Sequence, residues 1–488
     1  MSVMIPDSVV SIEADTFYTC SSLTDINVDS GNSNYISEDG VLFNKDKAYL
    51  IAYPRGKTQT AYTIPDGVIY IMDRAFSQCN LESITLPDSL LNNVALNLWD
   101  VTQNVNSFYE CYKLTSINVN SSNLIYSTED GVLFDKAKTI LFLCPAGKEG
   151  TYNVPDGVTD IADCAFLNSK LTNITIPDSV TDIRNTAFVV CDPLENINVD
   201  SNNSNYSSED GVLFNKDKTV LVRCPTAKCE YPSNSVYNIP EGVTRIEECA
   251  FILSAWSRIN MPDSVTSIGD GAFSSNLLLK NITMSNNIEH IGDGAFYMCD
   301  GLIDIYLPES VTTIGINAFY GTGEEFKIYG FKNSYAEDYA DENELPFEYI
   351  IETEKYGITD TNILKISPKT KLSTFKSNIA VSTVITQRVY NTDNKEIKEE
   401  EYVGTGMKYK LLAEEECEIK EYTLVVTGDI TGSGEVGVTD LLKLKRHIIG
   451  LETLTETPLM AADLNYSDTV TITDLFKMKQ AIIGMIEL

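Results

Sequence analysis

The apolar positions of this chain fall into three regimes. Through residues 1–330 they recur in one frame, Ile-Pro-Asp-x-Val-x-x-Ile-x-x-x-Ala-Phe. Its prolines are Pro6, Pro65, Pro87, Pro155, Pro177, Pro240, Pro262 and Pro308, and Ser285 takes that place in a ninth copy. Each leads to an aromatic anchor: Phe17, Phe76, Phe108, Phe166, Phe188, Phe251, Phe273, Phe296 and Phe319. The gap is 11 residues except between Pro87 and Phe108, where an insertion around Asn93–Asn106 carries Trp99. Where copies adjoin directly the period is 22 or 23 residues. Leu-x-x-Ile-x-(apolar) precedes most prolines, as in Leu81/Ile84/Leu86 and Leu171/Ile174/Ile176. That pattern predicts a short strand ending at a residue that cannot donate to a ladder. A second apolar set, such as Val265/Ile268/Phe273, is expected to line the same core from the far side of each coil. A coil of this length cannot bury its own apolar side, so coils must stack and share a core.

A second unit interrupts the first three times, from Tyr35 to Phe43, Tyr126 to Phe134 and Tyr206 to Phe214. The segment Gly211–Leu221 places two apolar stretches around a polar turn, which predicts a hairpin. Strings such as Ile176-Pro177-Asp178-Ser179-Val180 and Gly269-Asp270-Gly271-Ala272-Phe273 resemble the BspA-type leucine-rich repeat. The resemblance implies a leucine-rich-repeat β-solenoid with inserted hairpins over residues 1–350. Ser334–Asn343 would form a short helix in its terminal cap. It also implies a surface or secreted protein that adheres to or binds others.

Residues 351–427 lose the repeat. Alternating stretches such as Ile379–Ile385 and Tyr422–Val426, separated by polar breaks, predict a small all-β domain of sandwich type. It resembles the X modules that precede dockerins.

The last regime, 428–488, is a duplication. Residues 429–440 and 463–474 are oxygen-rich loops 34 residues apart, each followed by an apolar helical run. Side-chain oxygens at loop positions 1, 3, 5 and 12 and a carbonyl at position 7 wrap a hard cation such as Ca²⁺. Those positions are Asp429, Thr431, Ser433, Glu435 and Asp440 in the first loop. In the second they are Asp463, Asn465, Ser467, Thr469 and Asp474. A loop and one helix, duplicated at this spacing, resemble a dockerin, an all-α module with two calcium loop–helix repeats. Two departures from that pattern predict weak binding at one or both sites. Hydroxyls replace carboxylates at Thr431, Ser433 and Ser467, and Asp468 stands where glycine is usual. The resemblance implies a cohesin module of a scaffoldin as partner. Contacts would come from Val438, Thr439, Lys445 and Arg446 and their counterparts Ile472, Thr473, Lys479 and Gln480. Leu441, Leu444, Ile448, Leu475, Met478 and Ile482 are expected to form the internal core.

Composition narrows the function. The formal charge is −34, and residues 1–350 hold 48 acids against 20 bases. Nucleic acid is therefore not expected as a partner, because phosphate binding needs a basic footprint. No apolar run is long enough to span a bilayer, so no membrane insertion is expected. Two histidines, His290 and His447, are too few for the common histidine-rich zinc sites. Neither a GxSxG, an HExxH nor a P-loop string occurs. The acids Asp7, Asp66, Asp88, Asp156 and Asp178 recur with the coil, as turn residues would. Eleven cysteines, several at a fixed repeat position, are expected to pack as small apolar residues and not as bridges. The expectation is a non-catalytic extracellular protein, at a cellulosome or cell surface, whose solenoid binds an unknown protein or glycan. A cell-surface adhesin and a polysaccharide-active enzyme with an acidic site are the alternatives. No signal peptide is visible and Met1 falls inside a repeat, which suggests a truncated start.

Overall fold

The computed structural model describes residues 1–13, 16–90, 107–229, 235–352, 356–358, 362–382, 385–412, 418–467 and 469–488. Trp99 with its insertion, Asp468 and Cys417 lie outside them. The chain divides into two compact units. The first comprises Met1–Ile303 and Thr312–Glu325; the second comprises Asp304–Val311 and Phe326–Leu488.

The first unit is the β-solenoid. Strands of the expected kind form at Ser83–Leu86, Lys170–Ile176 and Arg258–Asn260, ahead of Pro87, Pro177 and Pro262, and also at Ser116–Val119, Asn196–Val199 and Asn281–Thr283, where no proline follows. They pair in parallel in the repeat register: Ile84 with Ile117, Ile174 with Ile197, Ile259 with Ile282. The far side of the coil carries two-residue strands, with Ile246, Ile268, Ile291 and Ile314 aligned in series. Ladders on both sides run parallel because each coil travels in the same sense as the last. The isoleucines of both faces are buried, so the two apolar sets meet in one core.

The anchor phenylalanines close the third side. Phe251, Phe273, Phe296 and Phe319 stack with ring centroids 5.1–5.3 Å apart, within 15° of parallel. Phe166–Phe188 and Phe76–Phe108 repeat the arrangement at 5.4 Å. Of the ten described cysteines, nine are buried and all are free thiols. Three of them donate to the anchor carbonyl of the preceding coil: Cys111 Sγ to Phe76 O at 3.0 Å, Cys191 to Phe166 at 2.8 Å and Cys299 to Phe273 at 3.1 Å. Each is a second donor to a carbonyl that already accepts within its own turn, from Cys79 N, Ser169 N and Asn276 Nδ2 respectively.

The interrupting units are three-stranded meanders. Tyr206–Glu209 pairs antiparallel with Val212–Asn215, which pairs with Val220–Arg223. The tip is Asp210-Gly211, both at positive φ (48° and 74°), the left-handed pair that a tight hairpin turn requires. The last strand then continues the far-side ladder through Leu221 and Ile246.

In the second unit, Asp304–Tyr306, Lys327–Gly330 and Phe347–Tyr349 form a short parallel sheet. The helix expected near Ser334–Asn343 spans Tyr335–Glu342 and is capped by Ser334, whose Oγ accepts from Glu337 N. The alternating stretches form a five-stranded mixed sheet, in spatial order Gly357–Ile358, Asn362–Ile366, Glu418–Val426, Lys408–Leu412 and Thr386–Tyr390. A two-stranded sheet, Ile351–Glu352 with Ala380–Val381, lies in the same unit. The described cover of the five-stranded sheet includes the helix Leu372–Ser377, whose Phe375 packs edge-on to Tyr409 and stacks with Tyr356. Three helices follow: Val438–Ile448, Glu456–Ala462 and Ile472–Ile482.

Candidate functional site

Each loop of the duplication ends in a helix whose N-terminus is fixed by the loop's last residue. Asp440 Oδ2 accepts from Gly437 N at 2.9 Å, and Asp474 Oδ2 accepts from Thr471 N at 2.8 Å. These aspartates satisfy N-terminal helix donors that have no intrahelical partner. Their other oxygens turn back into the loop. Asp440 Oδ1 accepts from Thr431 N and Thr431 Oγ1, both at 2.8 Å. Asp474 Oδ1 accepts from Leu464 N at 2.9 Å and Asn465 N at 3.2 Å. Both carboxylates are buried.

The sequence-assigned donors of the first loop converge. Going round the ring, Asp440 Oδ1 to Thr431 Oγ1 is 2.8 Å, Thr431 Oγ1 to Ser433 Oγ 3.5 Å, Ser433 Oγ to Glu435 O 3.0 Å, and Ser433 Oγ to Asp429 Oδ1 3.4 Å. Oxygens about 2.4 Å from a shared Ca²⁺ lie at about such mutual distances. All five donors are hard oxygens, so the set fits calcium. The second loop repeats part of the ring: Ser467 N donates to Asp463 Oδ1 and Asn465 Oδ1 at 3.1 Å, and Ser467 Oγ donates to Thr469 O at 3.1 Å. No three His, Cys, Asp or Glu side chains converge on a metal position among the described residues. That matches rings in which hydroxyls, an amide and carbonyls supply most of the oxygen.

The two loops differ at position 1. Asp429 is fully buried, and its carboxylate accepts from Ser433 N, Gly434 N and Thr405 N at 2.8, 2.8 and 3.0 Å. Burial pushes its carboxyl up, against the opposing pull of those three N–H groups. Asp463 is only partly buried.

The helices present two apolar faces. Leu444 and Met478 are buried in the small core with Ile430, Leu454, Ala462 and Leu464, and Leu441, Ile448, Leu475 and Ile482 pack against it. This is the expected internal set. Outside it, Val438 and Ile472 are 71% and 73% exposed, and Thr439, Lys445, Arg446, Thr473 and Lys479 are exposed as well; Gln480 is half-buried. The structure adds residues the sequence reading missed. Leu442 with Phe476, Ile449 with Ile483 and Leu451 with Met485 are exposed apolar pairs, again 34 residues apart. Val438 and Leu442 are spaced i, i+4, a second helical stripe that spacing alone does not separate from the core stripe. His447 serves the fold: its Nδ1 accepts from Leu454 N at 3.2 Å.

On the solenoid, Asp7, Asp66, Asp88, Asp156 and Asp178 are all exposed in the turn after the strand. His290 is exposed and lies 2.9 Å from Thr313 Oγ1 in the next coil. Among the tyrosines after the anchors, Tyr297 and Tyr320 stack at 5.6 Å, and Tyr18 faces the Arg74 guanidinium at 5.0 Å. Other coils carry Ser77, Leu167, Val189, Ile252 and Ser274 at that place, so the tyrosines after the anchors do not form a continuous row. A cleft of about 570 Å³ opens beside the tip of the second meander. Its lining includes Glu82, Tyr112, Lys113, Asp130, Lys148 and Glu149, with Lys148 bridging to Asp130 at 2.6 Å.

These features define a class, a parallel solenoid of leucine-rich coils followed by a duplicated loop–helix module. Residues 1–45, 52–135, 150–217 and 228–340 match the BspA type leucine rich repeat region. The chain belongs to that family. Residues 427–483 match the dockerin type I domain, a calcium-binding, cohesin-recognising module. Neither family is catalytic, and proteins carrying them are typically extracellular or surface-associated. A leucine rich cell surface protein from Faecalibacterium prausnitzii is 28% identical over 71% of this chain and 78% of its own, with a TM-score of 0.39. A leucine-rich repeat protein from Eubacterium ventriosum is 24% identical over 62% of this chain and 77% of its own, with a TM-score of 0.40. No curated protein matches the chain. No helix among the described residues is long and apolar enough to cross a membrane.

Proposed function

We propose that this chain is a non-catalytic extracellular binding subunit, attached to a scaffoldin by calcium-dependent dockerin–cohesin association, whose solenoid recognises a protein or glycan. The duplicated exposed face carries this reading. Val438/Ile472, Leu442/Phe476 and Ile449/Ile483 offer two symmetry-related apolar surfaces, flanked by Lys445, Arg446 and Lys479. Exposed apolar patches rimmed by charge are what a protein partner covers. Calcium at Asp429, Thr431, Ser433, Glu435 and Asp440, and at Asp463, Asn465, Ser467, Thr469 and Asp474, would hold each loop so that its helix presents this face. The cleft beside Tyr112 and Lys148 is the candidate contact of the solenoid.

The test is capture of the full chain on an immobilised cohesin panel, with calcium and with a chelator. Capture in calcium and release by chelator is expected. Because the two faces are duplicates, Val438→Asp or Ile472→Asp alone leaves one face intact. The double variant should lose about 30-fold or more in affinity, the scale of a hot-spot pair. A double variant that binds as well as the parent would discard this face, and failure to bind any cohesin would discard the reading.

A further inference from the structure

The first loop meets the β domain that precedes it backbone to backbone, whereas the second meets it through a side chain, Tyr466, whose ring lies 5.4 Å from Lys365 Nζ. Thr405 N, in the turn after Tyr402, donates to Asp429 Oδ2 at 3.0 Å. Lys369 N donates to Gly434 O at 2.7 Å. Between these bonds the two backbones touch. A Cβ on Gly404 would lie 2.4 Å from Gly432 O, one on Gly432 would lie 2.6 Å from Thr405 O, and one on Gly434 would meet Tyr402 Cβ at 2.8 Å. Three glycines therefore permit a contact that any side chain would prop open. Gly432 and Gly434 sit at positions 4 and 6 of the first loop; the second loop has Tyr466 and Asp468 there. Tyr466 is exposed, with its hydroxyl 3.2 Å from Thr427 Oγ1.

We propose that the Tyr402–Thr405 turn is a positioning element of the first calcium site. By holding Asp429 Oδ2, the Thr405 N–H leaves Oδ1 aimed into the ring of Thr431, Ser433 and Asp440 oxygens. A ligand fixed before binding costs no ordering entropy when the cation arrives. Rigidity is one of the variables that set calcium affinity in such loops. The first site is thereby preorganised and binds calcium more tightly than the second, and its occupancy is coupled to docking of the β domain. The inference rests on the reading of the loops as calcium sites.

The test is calcium titration of the full chain by calorimetry, with hydrogen exchange reporting loops 429–440 and 463–474 separately. Two affinities at least tenfold apart are expected, the tighter one protecting 429–440. Gly404→Ala should weaken the tighter step about tenfold and leave the second unchanged, because Gly404 is not at positive φ and only the contact is lost. Gly406→Ala is the control. It strains the same turn at φ +88° but meets only Thr392 Cγ2, at 3.5 Å. It should leave calcium affinity alone. Equal affinities at the two sites would overturn the proposal. So would an indifferent Gly404→Ala, or a Gly406→Ala that weakens calcium equally. Absence of any calcium binding would overturn both this inference and the reading beneath it.

Discussion

The solenoid and the C-terminal module solve the same problem with different materials. The solenoid has a large core and draws its stability from repetition: stacked isoleucines, stacked phenylalanines and buried thiols recur coil after coil. The module at 428–488 has 61 residues and only a few buried apolar side chains around Leu444 and Met478. A core of that size is marginal, so the free energy of holding a cation becomes part of its folding energy. A repeat array can lose one contact and keep its neighbours. A small module whose folding is linked to a cation could not lose that cation and keep its fold.

Alkali should separate the two regions most sharply. Burial pushes the thiols of Cys164, Cys191, Cys224, Cys249 and Cys299 up to about 12, from an ordinary value of 9.0. The fold holds them neutral, while the unfolded chain releases their protons above about pH 9. Solenoid stability is therefore complete below pH 9 and falls as pH rises toward 12, by about 1.4 kcal/mol per thiol per pH unit. Residues 428–488 contain no cysteine and should not share this dependence. Hydrogen exchange of the full chain under reductant, from pH 8 to 11 and corrected for intrinsic rate, checks it. A solenoid equally protected throughout would refute the expectation.

Calcium removal should act the other way. At free calcium 100-fold above its dissociation constant, each site adds about 2.7 kcal/mol. Chelation is expected to expose the amides of Val438–Ile448 and Ile472–Ile482, with the second helix the more affected, while the Phe251–Phe319 coils stay protected. Unchanged exchange in both helices would count against metal-linked folding.

The most local effect should come from the ladder itself. Phe273→Ala removes a fully buried ring between Phe251 and Phe296, a loss of about 3–5 kcal/mol. Denaturant unfolding of the full chain, read by exchange, should show it confined to the adjacent coils. A collapse of protection through all the coils would show a longer-range cooperativity than nearest-neighbour stacking supplies.

The coils were legible because their periodicity is a packing constraint. A residue that must meet its own copy every 22 or 23 positions leaves a visible trace, and the Ile, Phe and Pro positions fell where the frame put them. The convergence of the loop oxygens was legible for a related reason, since a loop built to wrap a cation carries oxygen side chains at fixed offsets. The exposed pairs Leu442/Phe476 and Ile449/Ile483 were not, because an apolar residue on a helix looks the same whether it awaits a partner or fills a core. Nor was the upstream strand of each meander, although Asp-Gly at its tip was in plain view: Tyr206–Glu209 is polar enough to read as loop until Val212–Asn215 pairs with it.

The sequence by itself determined the solenoid, the duplication and the oxygen-rich loops, since each follows from spacing along one chain. Only the tertiary structure decided that Gly404 meets Gly432, that Thr405 donates to Asp429, and that the two loops are therefore unequal. Those contacts join residues with no repeat between them, and a backbone N–H is the same in every sequence until the fold brings it to a carboxylate.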